Sequence, residues 1–453
     1  MKGKECIAKW DHIVALYNRA PGYKGVRLVP KLTAQHVLPD KIPKMRVKHC
    51  TQVFSKSVGV AIGFMAESGA TDKDCLDTAD LLMLFDDLFD SVNGSYSQVR
   101  EGKIYRSAVT PTSPHHKLWN ESLPILKSMK FINGYNQGVV PSLSSWVKTI
   151  EGFKAVAKHL SSKGINSLLL RNFNQDALEN FFGAIRAHGC SNIMPTSSAF
   201  EAAYKTLLVN NISSSHSVGS NCEKDDSVCL QSLKHFLMKP VDNMISAECE
   251  DEINNDHLCI EYINTDKLIM SKTPEHVERS AAIGYCSGWI ARLAKKNLYK
   301  NCGICTVNME EKELQTFHKF IKMKEYEGKN WLCYPTRALF DFFAQVEHIC
   351  IEILKENANK KNLLNYIKLI VSVNICTNTF LTCTRHKEAL CEYIINKSTM
   401  FFIHAWCKEI NNILTGKVTF WDNNDPMKVK ANRHYLKNKG RKRKRQNDIT
   451  LNV

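Results

Sequence analysis

The spacing of apolar residues constrains the fold of this chain more than any other feature of its sequence. Across residues 49–65, apolar side chains recur at intervals of three and four positions, which is the spacing of one helix face. Residues 78–92 repeat this spacing with more apolar positions, so we predict a helix there that is buried on two sides. A third helix is predicted over 146–160, after a cap-like region that contains Ser142 and Ser144.

Signals for β-strands are weak and short. They occur at 26–29 and 167–170, and strands do not alternate with helices along the chain. We therefore predict a mainly α fold without a complete parallel sheet. No stretch approaches the roughly 20 apolar residues of a membrane-spanning helix, so we expect no membrane partner. The amino-terminal residues lack the apolar core of a secretory signal, and we expect the 17 cysteines to be reduced inside the cell.

Positive charge is concentrated near the carboxyl end. The chain of 453 residues has a formal net charge of +16, and ten basic residues without any acid occur between Met427 and Arg445. Such a run repels itself and cannot be buried, so we predict a solvated, disordered tail over 421–453. Nuclear import and contact with nucleic-acid phosphates are the functional interpretations, and a merely solubilising terminus is the alternative.

The segment 171–196 is the most informative for chemistry. Asn174 is a predicted cap for a helix that begins at Gln175, and Gly189 stands where such a helix commonly ends. One face of this helix is predicted to be a buried apolar stripe of Leu178, Phe181, Phe182 and Ile185. The other face carries Asp176, Glu179, Gly183 and Arg186 at spacings of three and four. Two acids one turn apart could hold a divalent cation, but spacing alone favours an ordinary solvated face.

The letters of this segment, NQDALENFFGAIR followed by Pro195-Thr196, resemble a segment of P-element-type transposases, the THAP-domain family. In that family the chain re-enters an RNase H-like core at this segment, after an inserted domain. The resemblance implies that Glu179 is the last acid of a D-D-E triad, which would hold two Mg²⁺ ions for strand cleavage and joining.

Two upstream segments, LVPKLTAQHVLPDKIPKMRVKHCTQVFSKSV and LLMLFDDLFDSVNG, resemble the helical GTP-binding insertion of the same family. The resemblance implies a set of nucleotide contacts: Lys31, Arg46, the backbone of Val47, Ser55, Asp90, Asn93 and Asp176. In this set Asp90 and Asn93 would read guanine. A carboxylate can accept from the N1–H and N2–H₂ groups of guanine, and a nearby amide can serve O6 and N7.

Some features weaken this nucleotide interpretation. Arg46 stands where the family often has Lys, which keeps the charge and changes the contact geometry. The chain has no GxxxxGK[ST] phosphate-binding loop. Without the resemblance, Lys31 and Arg46 would be interpreted as surface cations, and Asp90 as a polar residue on an apolar helix.

Two later segments, AAIGYCSGWIARLAKKNLYKNCGIC and FLTCTRHKEALCEYII, also resemble this family. They contain Cys302-x-x-Cys305 and Cys383-x-x-His386, two half-sites with the spacing of zinc ligands. The halves are far apart in sequence, so only the fold could unite them. Small buried residues on helices are the alternative.

From these segments we predict five regions: a helical GTP-binding insertion domain (1–160), an RNase H-like segment (161–212), an acidic and serine-rich linker (213–256), a helical domain (257–420) and the basic tail (421–453). The resemblance begins inside the insertion. The strands that would supply the first two catalytic Asp residues are therefore expected to be missing, and so are the family's zinc-coordinating DNA-binding module and its oligomerising helix. Whether the chain alone is an enzyme stays open.

The leading hypothesis is thus a nuclear fragment or remnant of a GTP-dependent P-element-type transposase. Its expected ligands are a guanine nucleotide, Mg²⁺ and Zn²⁺, and its expected macromolecular partners are DNA and a full-length transposase or a second copy. The alternative is a domesticated, non-catalytic nuclear protein that binds DNA or other proteins.

Overall fold

The computed structural model describes residues 6–18, 27–44, 46–133, 136–191, 194–209, 260–326, 331–418 and 423–450. The linker predicted at 213–256 lies outside these residues. Helices form nearly all of the regular structure, and the only sheet in the described part pairs two short antiparallel strands, β1 (Phe131–Asn133) and β2 (Asn136–Gly138). The prediction of a mainly α fold is confirmed.

The helices of the front half are α1 (Trp10–Asn18), α2 (Ala34–Val37), α3 (Val47–Val53), α4 (Lys56–Glu67), α5 (Cys75–Val92), α6 (His115–Ser128), α7 (Pro141–Ser162), α8 (Asp176–Ser191) and α9 (Ser197–Val209). Those of the back half are α10 (Thr265–Met270), α11 (Pro274–Ala294), α12 (Gly303–Met309), α13 (Lys319–Lys324), α14 (Arg337–Asn357), α15 (Leu363–Asn374), α16 (Lys387–Leu414) and α17 (Pro426–Thr450). Single turns of 3₁₀-helix lie at 104–106, 170–173, 316–318 and 377–379, and a π-helical turn follows α11 at 295–299.

Several helix starts follow from local sequence. Pro141 and Pro274 occupy the first turns of α7 and α11, where a missing N–H costs nothing because that group has no helical partner. Asn264 caps α10 by accepting a hydrogen bond from the Lys267 backbone N–H, and Thr336 caps α14 by accepting from Leu339. These caps satisfy backbone donors that the helix itself leaves unpaired.

Two apolar cores meet at α5. The first half of α5 contributes Ala79 and Leu82 to a large core that joins α1–α4 with the helices of the back half. The second half contributes Leu88 to a smaller core with α6, α7 and residues 168–170. The prediction that this helix is buried on two sides is confirmed, and the front and back of the sequence form one continuous core.

Four sequence predictions about elements were wrong. The helix predicted over 49–65 is two helices, because the chain leaves the helical conformation at Phe54 and Ser55. The predicted helix over 146–160 begins earlier, at Pro141, so Ser142 and Ser144 lie inside it. Residues 27–29 and 167–170 form no strand, although Leu168 makes an isolated bridge to Val109. Helix α8 continues beyond Gly189 to Ser191.

The basic segment is also ordered differently from its prediction. Residues 426–450 form α17, and its first turns pack on α16. Lys428 is buried and pairs with Glu409 at 2.8 Å, while Ala431 packs with Ile413 and Val418. Asp425 accepts hydrogen bonds from the Met427 and Lys428 backbone N–H groups, which starts the helix. Residues 426–450 are therefore helical. No described helix has the length and apolarity needed to cross a membrane.

Candidate nucleotide-binding site and metal centre

A polar network connects the end of α5 with the start of α8. Asn174 donates from Nδ2 to the Asn93 Oδ1 at 3.0 Å and to the Asp176 Oδ2 at 2.9 Å. It also accepts from the Asp176 backbone N–H at 3.0 Å, which begins α8 as the sequence predicted for this cap. Arg171 lies 3.9 Å from the Asp176 carboxylate. The fold thus brings together Asn93 and Asp176, which are 83 positions apart in sequence.

Asp90 lies one turn before Asn93 and is buried. Its carboxylate accepts a hydrogen bond from the Lys103 Nζ at 3.1 Å. The charge of Asp90 and burial raise the pKa of the neighbouring Asp86 to about 6, with burial as the larger cause. The end of α5 therefore presents a buried carboxylate and an amide one turn apart, with the Lys103 ammonium group bonded to the carboxylate.

Three other predicted nucleotide contacts lie elsewhere on the front half. Lys31 is exposed in a turn, and Arg46 is the exposed residue immediately before α3. Val47 begins α3 with 60% of its surface exposed. Within the described residues, neither Lys31 nor Arg46 forms an ion pair or hydrogen bond with Asp90 or Asn93. The structure therefore does not join these two cations by direct contact to Asp90 and Asn93, the pair predicted to read guanine.

Ser55 stands at the start of α4, where its hydroxyl donates to the Gln52 carbonyl at 3.0 Å. The next residue, Lys56, donates from Nζ to the Glu325 carbonyl of the back half at 2.8 Å. The charges of Lys56 and of Asp86 on α5 act on each other, which shows that the start of α4 lies near α5. Through Lys56 and Asp86, the region of Ser55 is connected to the surroundings of Asp90.

Glu179 is exposed in the first turn of α8. It belongs to no cluster of three or more potential metal ligands among the residues that the structure describes. Its place in a metal-binding triad stays a prediction. The apolar stripe of α8 is only partly buried: Ile185 packs in a small core with α9, but Leu178 is 53% exposed and Phe182 is 39% exposed.

The two cysteine half-sites converge. Cys302 and Cys305 lie at the start of α12, Cys383 precedes α16, and His386 is the residue before its first turn. Their four ligand atoms all lie within 4.8 Å of one another. The Sγ atoms of Cys302 and Cys383 are 3.9 Å apart, and the His386 Nδ1 lies 3.4 Å from the Cys305 Sγ and 3.5 Å from the Cys383 Sγ.

These separations match the edges of a tetrahedron. With Zn–S near 2.3 Å and Zn–N near 2.0 Å, the expected edges are roughly 3.8 Å for S···S and roughly 3.5 Å for S···N. Hydrogen bonds from the backbone lower the pKa of Cys302 and of Cys383, while burial raises the pKa of Cys305 to about 12. A Cys₃His cluster of this geometry can hold a divalent metal ion, and closed sites of this kind are structural in most proteins.

Comparison with known proteins places this geometry in a family context. A family model described as the TNP-like GTP-binding insertion domain matches residues 1–103, and one described as the TNP-like RNase H C-terminal domain matches residues 172–205. A curated relative, the Transposable element P transposase of Drosophila melanogaster, is 24% identical over 209 residues. The resemblance to P-element-type transposases is confirmed.

The coverage of this P-element-type relative is partial. The alignment spans 44% of this chain and 26% of the Drosophila protein, so the chain spans about a quarter of its curated relative. No solved structure matches the chain. The matched ranges contain all seven predicted nucleotide contacts and Glu179, whereas the Cys₃His cluster lies outside both.

Sequence reasoning missed three residues that complete the site. Lys103 is the partner of Asp90, Asn174 joins Asn93 to Asp176, and Lys56 links α4 to α5 and to the back half. Asn174 was recognised only as a helix cap. No local pattern marks Lys103 or Lys56, because their partners are brought to them by tertiary structure.

Proposed function

We propose that this P-element-type chain binds a guanine nucleotide at the junction of α5 and α8. The observation that carries the proposal is the network of Asn93, Asn174 and Asp176 beside the buried Asp90. This junction uses residues from both segments that the family models match, and the first model is named for GTP binding.

The residue types at the junction suit guanine. The Asp90 carboxylate can accept from the base N1–H and N2–H₂, with Lys103 moving aside from its present bond. The Asn93 amide can serve O6 and N7, and Asp176 can accept a further donor. We assign Lys31, Arg46, the Val47 backbone and Ser55 to the phosphate side, where positive charge and donors favour an anion.

The test is a substitution that should change the preferred base from guanine to xanthine. Asp90→Asn removes an acceptor for N1–H and adds an amide donor, which suits the C2 carbonyl of xanthine and not the amino group of guanine. We expect the variant to lose GTP affinity by at least about tenfold and to gain affinity for xanthosine triphosphate. The control is Asp80→Asn, an exposed acid on the same helix. Unchanged GTP affinity in Asp90→Asn would contradict the assignment of Asp90.

For the Cys₃His cluster we propose a structural Zn²⁺ site. The ion would hold the start of α12 against the turn before α16, two segments that Thr382 and Asn308 also connect through a 3.1 Å hydrogen bond. Because a bound ion stabilises only the folded chain, its removal lowers the melting temperature. The support is the convergence of four ligand atoms from two half-sites within 4.8 Å of one another.

Elemental analysis of the purified chain should give one zinc ion per molecule, and a chelator should lower the melting temperature. Cys305→Ser should lose the ion, whereas Cys407→Ser, at an exposed cysteine outside the cluster, should keep it. Full occupancy in Cys305→Ser would contradict the site. Absence of zinc from a chain with an unaltered melting temperature would contradict it as well.

We further propose that the chain acts on DNA in the nucleus together with other transposase chains. The support is the name of the Drosophila relative and the basic segment of α17. In that assembly Glu179 would serve as the last acid of a Mg²⁺-binding triad whose other acids come from outside α8. A strand-transfer assay of the assembly tests this role: Glu179→Gln should abolish product, and retained product would exclude it.

A further inference from the structure

A cleft of about 220 Å³ lies where the front and back halves meet. Its charged lining includes Lys56 of α4, Arg292 of α11 and Lys324 of α13, and its aromatic lining includes Tyr285, Tyr326 and Trp331. None of these six residues was among the predicted nucleotide contacts. Cationic side chains interleaved with aromatic rings in a concave site are a combination suited to an organic anion.

Two of the three cations make no direct ion pair among the described residues, although the charges of Asp87, Asp86 and Glu325 act on Lys56. Among the described residues, neither Lys56 nor Lys324 is within ion-pair distance of a carboxylate. Instead the Lys324 Nζ lies 4.1 Å above the Tyr285 ring, and the Lys56 Nζ lies 3.6 Å above the Tyr326 ring. Burial lowers the pKa of Lys324 to about 8, and the charges of Lys31 and Lys56 act in the same direction. Two desolvated ammonium groups side by side favour an anion between them.

The acids of the cleft are engaged by other groups. The Glu325 carboxylate accepts hydrogen bonds from the Trp331 and Leu332 backbone N–H groups and from the Tyr334 hydroxyl. Glu101 pairs with Arg292 at 3.4 Å. Neither acid therefore neutralises the two lysines by direct contact.

The cleft adjoins the proposed guanine site. The Tyr326 ring centre lies 5.9 Å from the Lys103 Nζ, and that same ammonium group bonds the Asp90 carboxylate. Lys31, assigned to the phosphate side, influences Lys324 electrostatically. A nucleotide whose base meets Asp90 would therefore direct its phosphates toward Lys56 and Lys324.

We infer that Lys56 and Lys324 form a polyphosphate subsite, so that the back half of the chain completes the nucleotide site of the front half. This inference rests on the proposed guanine-nucleotide function and adds Lys56 and Lys324 to the residues assigned to the phosphate side.

The experiment measures the affinities of three probes: GTP, guanosine and inorganic tripolyphosphate. Lys324→Gln and Lys56→Gln should each weaken GTP and tripolyphosphate binding by about tenfold or more, and leave guanosine binding unchanged. Loss of one charge-assisted hydrogen bond accounts for a loss of this size. Lys322→Gln, at an exposed position on the same short helix, is the matched control. Melting temperatures of the variants check that they fold, and Lys324→Arg should retain most of the affinity.

The possible outcomes distinguish a failure of the polyphosphate subsite from a failure of the proposed guanine-nucleotide function. If the wild type prefers GTP to ATP but both Gln variants bind GTP normally, the subsite is wrong and the proposed function stands. If tripolyphosphate binds in a Lys324-dependent way but GTP is not preferred, the subsite stands and guanine recognition fails. If the wild type binds none of the three probes, both are wrong.

Discussion

At the residue scale, Asp86 gives α5 an unusual titration. Burial, with the charge of Asp90 as the next cause, raises the pKa of Asp86 to about 6. Below pH 4 this acid is protonated in both the folded and the unfolded chain. Between pH 4 and 6 only the folded chain keeps the proton, so the free energy of unfolding falls as the pH rises through that range.

We therefore expect Asp86→Asn to raise the free energy of unfolding at pH 7.5 by up to about 3 kcal/mol, the equivalent of a two-unit pKa shift. At pH 4 the variant and the wild type should be nearly equal. Thermal unfolding at the two pH values measures the difference. Asp72→Asn, at an exposed loop position, is the control and should change stability by less than about 0.5 kcal/mol at either pH. If Asp86→Asn stabilised the chain equally at both pH values, the pKa of Asp86 would not be raised in the folded chain.

Sequence reasoning reached some residues of the site and missed others for a physical reason. Asp90, Asn93 and Asp176 came from resemblance to a family, and the fold places them at one junction. The lysines that surround them, Lys56, Lys103 and Lys324, have no sequence pattern of their own. Their surroundings are set by the approach of α4, α5 and α13, which only the folded chain shows.

At the element scale, α11 depends on two glycines one turn apart. A Cβ atom at Gly284 would meet the Phe317 carbonyl oxygen at 2.9 Å, and one at Gly288 would overlap the Cys333 carbonyl oxygen. Both neighbours are backbone atoms, so they cannot rotate away. The glycines therefore allow two backbone segments to pack directly on this helix.

We expect Gly288→Ala to lower the free energy of unfolding by about 1–3 kcal/mol, because the backbone near Cys333 must shift. Gly152→Ala on α7 is the matched control. No atom lies within 4 Å of its added Cβ, so it should stabilise the chain by about 0.5–1 kcal/mol through helix propensity. Chemical denaturation of the two variants measures both changes. If both substitutions changed the free energy of unfolding in the same direction, close packing of backbone against α11 would not explain the effect at Gly288.

Helix α17 shows how tertiary structure overrides a charge pattern. Ten basic residues predicted a disordered tail, but Lys428 is buried against Glu409 and Ala431 enters a small core. The apolar positions that make this docking possible, Val429 and Ala431 among them, are too few to stand out from the surrounding charge. Exposed cations, including Lys437 and Lys439, follow the docked turns.

This arrangement defines a sharp test of DNA binding. Replacing Lys437, Lys439 and the five residues 441–445 by Gln keeps the docked turns and removes seven charges. We expect the variant to bind duplex DNA more weakly. The slope of log K against the logarithm of the salt concentration should also become shallower, by about 0.9 for each phosphate that the variant no longer neutralises. Lys158→Gln with Lys163→Gln, two exposed cations at the end of α7, is the control. An unchanged salt slope in the tail variant would exclude this segment from the DNA interface.

At the scale of the whole molecule, the front and back halves form one core. The helical periodicity predicted α5 and its burial on two sides, but it did not predict that residues 13–82 and 268–402 pack together. Periodicity identifies the apolar face of a helix without naming its partner. The convergence of Cys302 with Cys383, 81 positions apart, was open in the sequence for the same reason.

The central claim is that this molecule recognises a guanine nucleotide. Isothermal titration of the full chain with GTP, followed by titration with ATP under the same conditions, tests it most directly. The account predicts saturable binding of about one GTP per chain and at least tenfold weaker binding of ATP, because adenine has no N1–H to donate to Asp90. Absence of GTP binding, or equal affinity for the two nucleotides, would contradict it.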